Sequence, residues 1–182
     1  MANNNYFLKL AKARKTTYEF SNRKVNDSDL NDILEAGRWA PSCNNTEPWH
    51  FVIIKNKETI KKLMMTANYG DFHTDPALMI ALVLLSEQCP GEGQSCFRGE
   101  DSGVHDSYMC IGMVALNMSL EARDLGIDTC IVTPTEEVAK RILKVKKNNA
   151  VPLLLGLGYQ DKKAFQKKRE RKGLAGIISY MV

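Results

Sequence analysis

The stretch Leu34-Glu-Ala-Gly-Arg-Trp-Ala-Pro-Ser-Cys-Asn-Asn-Thr-Glu-Pro-Trp49 joins the end of a predicted helix to the start of a predicted strand. Upstream, Asn26 or Ser28 can cap a helix whose apolar residues recur at helical spacing. Downstream, residues 49–55 are rich in aromatic and β-branched side chains, which predicts a strand. The connecting loop, 40–48, contains prolines that restrict its backbone and several Ser, Asn and Thr side chains. This composition indicates a rigid loop that can donate and accept hydrogen bonds, although a purely structural loop could share it.

Helical and extended patterns are mixed along the rest of the chain. Apolar spacing predicts four further helices, at 4–14, 58–68, 106–125 and 135–144. Apolar runs predict three further strands, at 77–85, 127–132 and 151–158. The first of these is apolar throughout, as expected of a strand buried on both faces. Glycines and prolines between 86 and 105 predict a long surface loop. The class is therefore α+β, in a single domain over 1–182, with helix 106–125 near its centre and packed through its methionines. We expect Trp39 and Trp49 to anchor the core.

The composition excludes several classes of protein. The chain has 182 residues, 44% of them hydrophobic and 25% charged, which is typical of a globular domain rather than a disordered or collagen-like one. Its longest apolar run, 76–85, is far shorter than the roughly 20 residues that cross a bilayer. The N-terminal residues have no basic-then-apolar pattern, so we expect no secretory signal. Its 5 cysteines include no Cys-x-x-Cys pair and its 3 histidines have no metal-ligand spacing. We expect a cytoplasmic protein without a bound metal or a membrane segment.

The positive charge is concentrated near the C-terminus. The chain carries a net charge of +4, and residues 161–172 contain seven basic and two acidic side chains. Such a segment can simply be solvated, and Phe165 is its one aromatic residue, which argues against a nucleic-acid site. A second cationic pair, Arg14-Lys15, lies near the other end of the chain. Two cationic segments would suit one phosphate held from two sides, and the amide-rich loop would suit a heterocycle.

Several motifs occur in the order found in one known family. Residues 14–20 read Arg-Lys-Thr-Thr-Tyr-Glu-Phe, the block 34–49 contains Ala-Pro-Ser-Cys-Asn-Asn-Thr-Glu-Pro-Trp, and residues 171–174 read Arg-Lys-Gly-Leu. They resemble the Arg-Arg-Ser-x-Arg-x-Phe, Ala-Pro-Ser-x-x-Asn-x-Gln-Pro-Trp and Arg-Lys-Pro-Leu motifs of the nitroreductase family of FMN-dependent oxidoreductases. Helix 106–125 and the stretch 151–159 are similar to that family's central helix and penultimate strand. The resemblance therefore covers nearly the whole chain, from about 14 to 178.

The resemblance implies a fold and an FMN site. The fold is a central mixed or antiparallel sheet flanked by helices, in an intertwined homodimer with FMN between the subunits. The residues assigned to FMN form three groups, beside the phosphate, around the ring and ribityl chain, and beside the N5 edge of the ring. They are Arg14, Lys15, Thr16, Arg169 and Arg171; Pro41, Ser42, Cys43 and Asn45; and Val132 and Thr133. Within the first group, Lys15 would contact either the phosphate or the ribityl chain.

The resemblance also implies an activity. A hydride would pass from NADH or NADPH through flavin N5 to a nitroaromatic, quinone or similar flat acceptor by a ping-pong mechanism, with no catalytic side chain required. The expected partners are a small-molecule acceptor and a second copy of the chain, and not nucleic acid or a membrane. Two alternatives stay open: a flavin-binding store or sensor without efficient turnover, and a family member with altered chemistry.

The chain departs from the family pattern at several positions. Glu47 stands where Gln is usual, Tyr18 where Arg is usual, and Gly173 where Pro is usual. A carboxylate at Glu47 would oppose the negative charge of a reduced flavin nearby. Pro134 has no backbone N–H, so a donor to the flavin from that loop has to come from Thr133 or earlier.

Overall fold

The computed structural model of the chain describes residues 5–67, 74–88, 100–164 and 169–181, with side chains of its longest helix from residue 105 onward. The helices are α1 Tyr6–Ala13, α2 Asp27–Arg38, α3 Lys57–Met64, α4 Glu100–Asp124 and α5 Glu136–Leu143. The strands are β1 Trp49–Ile54, β2 Leu78–Leu84, β3 Asp128–Val132 and β4 Ala150–Gly158. Short 3-10 turns occupy Cys43–Asn45, Ser86–Gln88 and Leu174–Gly176. The α+β class is confirmed.

Local sequence signals account for the helix boundaries. Asn5, Asn26 and Asn56 each accept a hydrogen bond from the backbone N–H three residues on, which caps α1, α2 and α3. Asn26, rather than Ser28, therefore caps α2. The prediction of a loop over 86–105 is wrong for its last residues, because α4 begins at Glu100. Residues 89–99 of that loop, and Phe165, lie outside the described residues.

The four strands form one antiparallel sheet in the order β1-β2-β4-β3. Trp49, which begins β1, pairs with Leu84 of β2, and Leu84 pairs in turn with Ala150 of β4. At the other end of β4, Gly158 pairs with Asp128 of β3. Trp49 and Asp128 therefore lie at diagonally opposite corners of the sheet. At about 3.3 Å per residue and about 4.8 Å between strands, these corners are on the order of 30 Å apart.

The sheet separates two apolar cores. One lies beneath α2 and α4 and the other beneath α3 and α5. Every residue of β2 is buried, as predicted from its apolar run. Trp49 is buried in the first core, but the prediction that Trp39 also anchors the core is wrong, since 72% of this residue is exposed. Its indole Nε1 donates to Glu35 Oε1 at 2.7 Å, which holds the ring at the surface.

Helix α4 is buried on one face only. Met118 is fully buried, whereas Met109 is 57% exposed and Leu116 is 49% exposed in the single chain. The prediction that the methionines of this helix are all core residues is therefore wrong for Met109. The exposed apolar face borders an open groove of ≈ 630 Å³. Its lining is Cys43, Asp106, Met109, Cys110, Gly112, Met113 and Leu116.

Helices α2 and α4 approach closely at Gly37. A Cβ added there would lie 2.3 Å from Cε and 2.8 Å from Cγ of the buried Met118. Any larger residue must displace Met118 within a close-packed core, and overpacking of this kind is destabilising.

We expect Gly37→Ala to lower the free energy of unfolding by about 1–3 kcal/mol, because the added methyl group overpacks the α2–α4 contact. Urea denaturation of the two proteins measures this change. In a Met118→Ala background the same substitution should cost far less, because the opposing side chain is gone. An equal loss in both backgrounds would contradict the assigned contact.

Candidate functional site

Three guanidinium groups from opposite ends of the chain converge at the end of α1. Arg169 Nη2 donates to the Lys12 carbonyl at 2.7 Å, and its Nη1 donates to the Arg14 carbonyl. The pKa of Arg14 is lowered, first by burial and then by the positive charges of Arg169 and Arg171. Within the described ranges, no carboxylate forms an ion pair with these three arginines. An anion bound here would relieve their repulsion.

The segment after Arg14 is fastened to the outer edge of β3. Thr16 forms a parallel bridge with Thr129, and the Thr17 N–H donates to the Thr129 carbonyl at 3.0 Å. The Thr17 side chain is buried, and its hydroxyl has no hydrogen-bond partner among the described residues. The sheet thus places Thr16 beside the guanidinium cluster.

A buried carboxylate lies at the same corner. Asp128 Oδ1 is 3.2 Å from Arg123 Nη1 and 3.9 Å from Lys15 Nζ. The other carboxylate oxygen accepts the Gln160 backbone N–H at 3.0 Å. Lys15 Nζ also donates to the Gln160 side-chain oxygen. The ammonium of Lys15 is therefore directed towards β3 and Gln160.

The polar loop is shaped by unusual backbone conformations. Asn44, Asn45 and Glu47 all have positive φ, at 50°, 54° and 47°. Such angles are uncommon outside glycine and cost conformational energy. The Glu47 N–H donates to Ser42 Oγ at 3.0 Å, and the Asn45 amide nitrogen lies 3.4 Å from Glu47 Oε1. The loop is thus tied by its own side chains, and Pro41, Asn45 and Glu47 are exposed.

The loop faces α4 rather than the arginines. Cys43 lines the groove on the apolar face of α4. Trp49 lies at the corner of the sheet diagonally opposite Thr129. The loop that contains Pro41, Ser42 and Asn45 leads directly into Trp49. The structure therefore brings together the predicted residues of the phosphate group, but it does not bring the loop residues to them within one chain.

The third predicted group lies along the same edge as Thr16. Val132 is buried at the end of β3, and Thr133 follows it and is exposed. Thr133 is four residues beyond Thr129, which corresponds to about 13 Å along an extended strand. Pro134 is buried and forms an antiparallel bridge with Ala67. The outer edge of β3 thus runs from the guanidinium cluster to Thr133.

Comparison with known proteins decides the family. The family model described as the nitroreductase family matches residues 11–159 of the chain. The chain belongs to the nitroreductase family. Among curated relatives, this family member is 30% identical over 170 residues to a candidate NADH dehydrogenase/NAD(P)H nitroreductase of Archaeoglobus fulgidus, covering 90% of this chain and 91% of that protein.

Solved structures show the same fold. A candidate nitroreductase of Bacillus subtilis superposes on this family member with a TM-score of 0.83 at 19% identity, over 97% of this chain and 99% of that one. A Clostridium difficile protein named as an FMN-dependent nitroreductase superposes with a TM-score of 0.71 at 20% identity, over 88% and 91% of the two chains. The nitroreductase fold expected from the motifs is therefore confirmed.

Sequence reasoning missed two residues at the site. Asp128 and Gln160 contact Lys15, yet neither was assigned a role from the sequence. Asp128 had one usable signal, since a carboxylate inside an apolar strand is rarely buried without a partner. Gln160 had none, because its role depends on where β4 ends.

Of the described helices, none is long and apolar enough to cross a membrane.

The thiol of Cys130, at the centre of β3, should be unreactive in the folded protein. Burial raises its pKa to about 12, which leaves about one thiolate in ten thousand at pH 8. We expect a disulfide reagent at pH 8 to modify the half-buried Cys43 well before Cys130, with peptide mass mapping to assign each site. Modification of Cys130 should begin only when urea unfolds the chain. Equal labelling rates for both cysteines in native protein would contradict this assignment.

Proposed function

We propose that this protein is an oxidoreductase that binds FMN, takes a hydride from NADH or NADPH and passes it to a nitroaromatic, quinone or similar flat acceptor. The observation that carries the proposal is the convergence of Arg14, Arg169 and Arg171 at the end of α1, where the positive charges of Arg169 and Arg171 contribute to the lowered pKa of Arg14. Membership of the nitroreductase family and the named FMN-dependent relative agree with it. A ping-pong order, in which donor and acceptor use one site in turn, is part of the proposal.

The residues present fit FMN. Arg14, Arg169 and Arg171 would hold the phosphate, together with the Thr16 hydroxyl, since guanidinium groups suit phosphate oxygens. The edge of β3 would carry the ribityl chain towards Val132 and the exposed Thr133. Bound FMN would supply the group that accepts and returns the hydride. The Thr133 backbone N–H is the last one available on this edge before Pro134, and a donor there favours negative charge on a reduced ring.

The distance between the two halves of the site supports a homodimer. Pro41, Ser42, Cys43 and Asn45 belong to the loop at the Trp49 corner of the sheet, whereas the phosphate group lies beside Thr129 at the opposite corner. Because these corners are on the order of 30 Å apart, we infer that one FMN does not contact both groups within one chain. A second copy could supply this loop to the ring. The exposed apolar face of α4, with Met109 and Leu116, would be covered in such a dimer.

The alternative is a flavin store or sensor without efficient turnover. It uses the same phosphate cluster and the same dimer, so geometry does not separate it from the enzyme. What separates them is reduction of the bound flavin by a nicotinamide donor. No side chain here is assigned to general acid or base catalysis in either case.

We expect the purified protein to bind FMN and the bound flavin to lose its visible absorption when NADH or NADPH is added without oxygen. The faster donor identifies the nicotinamide preference, and oxidised product after addition of a nitroaromatic or quinone identifies the acceptor class. Free FMN at the same concentration is the control. Binding without reduction would favour the store or sensor, and no binding of FMN would contradict the proposal.

A mixture of two inactive variants tests the shared site. Arg14→Gln removes a phosphate ligand, and Asn45→Gly removes the loop amide while suiting its positive φ. If each FMN contacts Arg14 of one chain and Asn45 of the other, a mixed dimer retains one intact site. Co-refolding equal amounts should then restore about a quarter of wild-type activity by random pairing. No recovery, with dimers present by light scattering, would place each site within one chain.

A further inference from the structure

The buried carboxylate of Asp128 belongs to none of the groups assigned to FMN. Only 9% of its side chain is exposed, and it contacts Arg123, Lys15 and the Gln160 backbone. A buried carboxylate is costly unless it is paired, and here its partners come from three separate segments. One of them, Lys15, is a neighbour in sequence of two proposed phosphate ligands.

Side chains alternate in direction along an extended segment, so the contact between Lys15 and Asp128 also determines where the neighbours of Lys15 point. Residues 14–17 run along the edge of β3, where Thr16 bridges Thr129 and the Thr17 N–H donates to the Thr129 carbonyl. Successive side chains of an extended segment point to opposite sides. Thr17 is buried, and Lys15, two residues away, is directed to Asp128 and Gln160. Arg14 and Thr16 are therefore left on the other side of the segment.

We propose that Asp128 and Lys15 are positioning residues for the phosphate of FMN. Their contact fixes the segment in the register that presents Arg14 and Thr16 to the phosphate, and the Lys15 ammonium itself does not touch it. This inference rests on the proposed function, since it assumes that FMN binds at Arg14. It differs from the expectation based on family resemblance, in which Lys15 contacts the phosphate or the ribityl chain.

The two roles of Lys15 predict opposite effects of Asp128→Asn. If Asp128 positions the segment, loss of its charge loosens Lys15 and weakens FMN binding. If Lys15 binds the phosphate directly, the same variant frees the ammonium, and FMN binding is retained or becomes tighter. Asparagine keeps the shape of the side chain and an oxygen for the Gln160 N–H.

The experiment measures the Kd of FMN and of riboflavin for the wild type, Asp128→Asn, Lys15→Met and the double variant, by quenching of flavin fluorescence. We expect each single variant to raise the Kd of FMN by on the order of tenfold or more, as loss of an orienting partner commonly does. Riboflavin, which has no phosphate, should change less than FMN. The double variant should be no worse than the weaker-binding single variant, because both remove the same contact.

Arg123→Met is the matched control. It removes the other cation of Asp128, at the shorter distance of 3.2 Å, but Arg123 lies at the end of α4 and outside the phosphate segment. A purely structural role predicts similar losses of FMN affinity for Arg123→Met and Lys15→Met. The positioning role predicts a loss for Lys15→Met alone and substantial rescue by Lys15→Arg. The comparison of Lys15→Met with Arg123→Met also decides the question if Asp128→Asn does not fold.

The outcomes separate this inference from the proposed function. Wild-type protein that does not bind FMN overturns the proposed function itself. Wild-type protein that binds FMN, with Asp128→Asn binding equally or more tightly, overturns the positioning role alone. Equal losses of FMN and riboflavin affinity would also overturn it, because the effect would then not pass through the phosphate.

Discussion

The antiparallel pairing of β4 with β2 on one side and β3 on the other controls how every proposed site residue is placed. This register puts Asp128 and Thr129 at one corner of the sheet and Trp49 at the opposite corner. The edge of β3 is then open to the segment that follows α1, and the polar loop before β1 faces α4 instead. The two groups of residues proposed to bind FMN therefore lie on one sheet and face different directions.

The positive charges proposed to hold the FMN phosphate do not favour one another in the free chain. Arg14, Arg169 and Arg171 repel one another, and the repulsion contributes to the lowered pKa of Arg14. The C-terminal segment that carries two of them is exposed, and Arg169 holds it to α1 through backbone carbonyls. Asp128, by contrast, is buried and has two cations close by, Arg123 at 3.2 Å and Lys15 at 3.9 Å. Among the described residues, the buried charge of Asp128 is thus paired with two cations, whereas the ion pairs found there include none of the three arginines.

Local signals made most of the fold predictable. Asparagine caps, apolar spacing and β-branched runs depend on neighbours within a few residues, so their helices and strands were found with small errors in their ends. The predictions for Trp39 and Met109 were wrong because burial depends on the packing of α2 and α4 and on what covers α4. Likewise, no local pattern tells which side of an extended segment Lys15 takes, since Asp128 and Gln160 are distant in sequence.

The sequence by itself determined the α+β class, the order of the elements and, through the Ala-Pro-Ser block and its flanking motifs, the family. It also marked the two cationic segments, because charge and motif order are properties of the linear chain. Only the tertiary structure decided that Arg14 meets Arg169 and Arg171, that Lys15 turns to Asp128, and that the loop of Asn45 joins the sheet at the opposite corner. The physical reason is strand register. It sets the distances in space between residues, and these distances cannot be read from the separation of the residues along the chain.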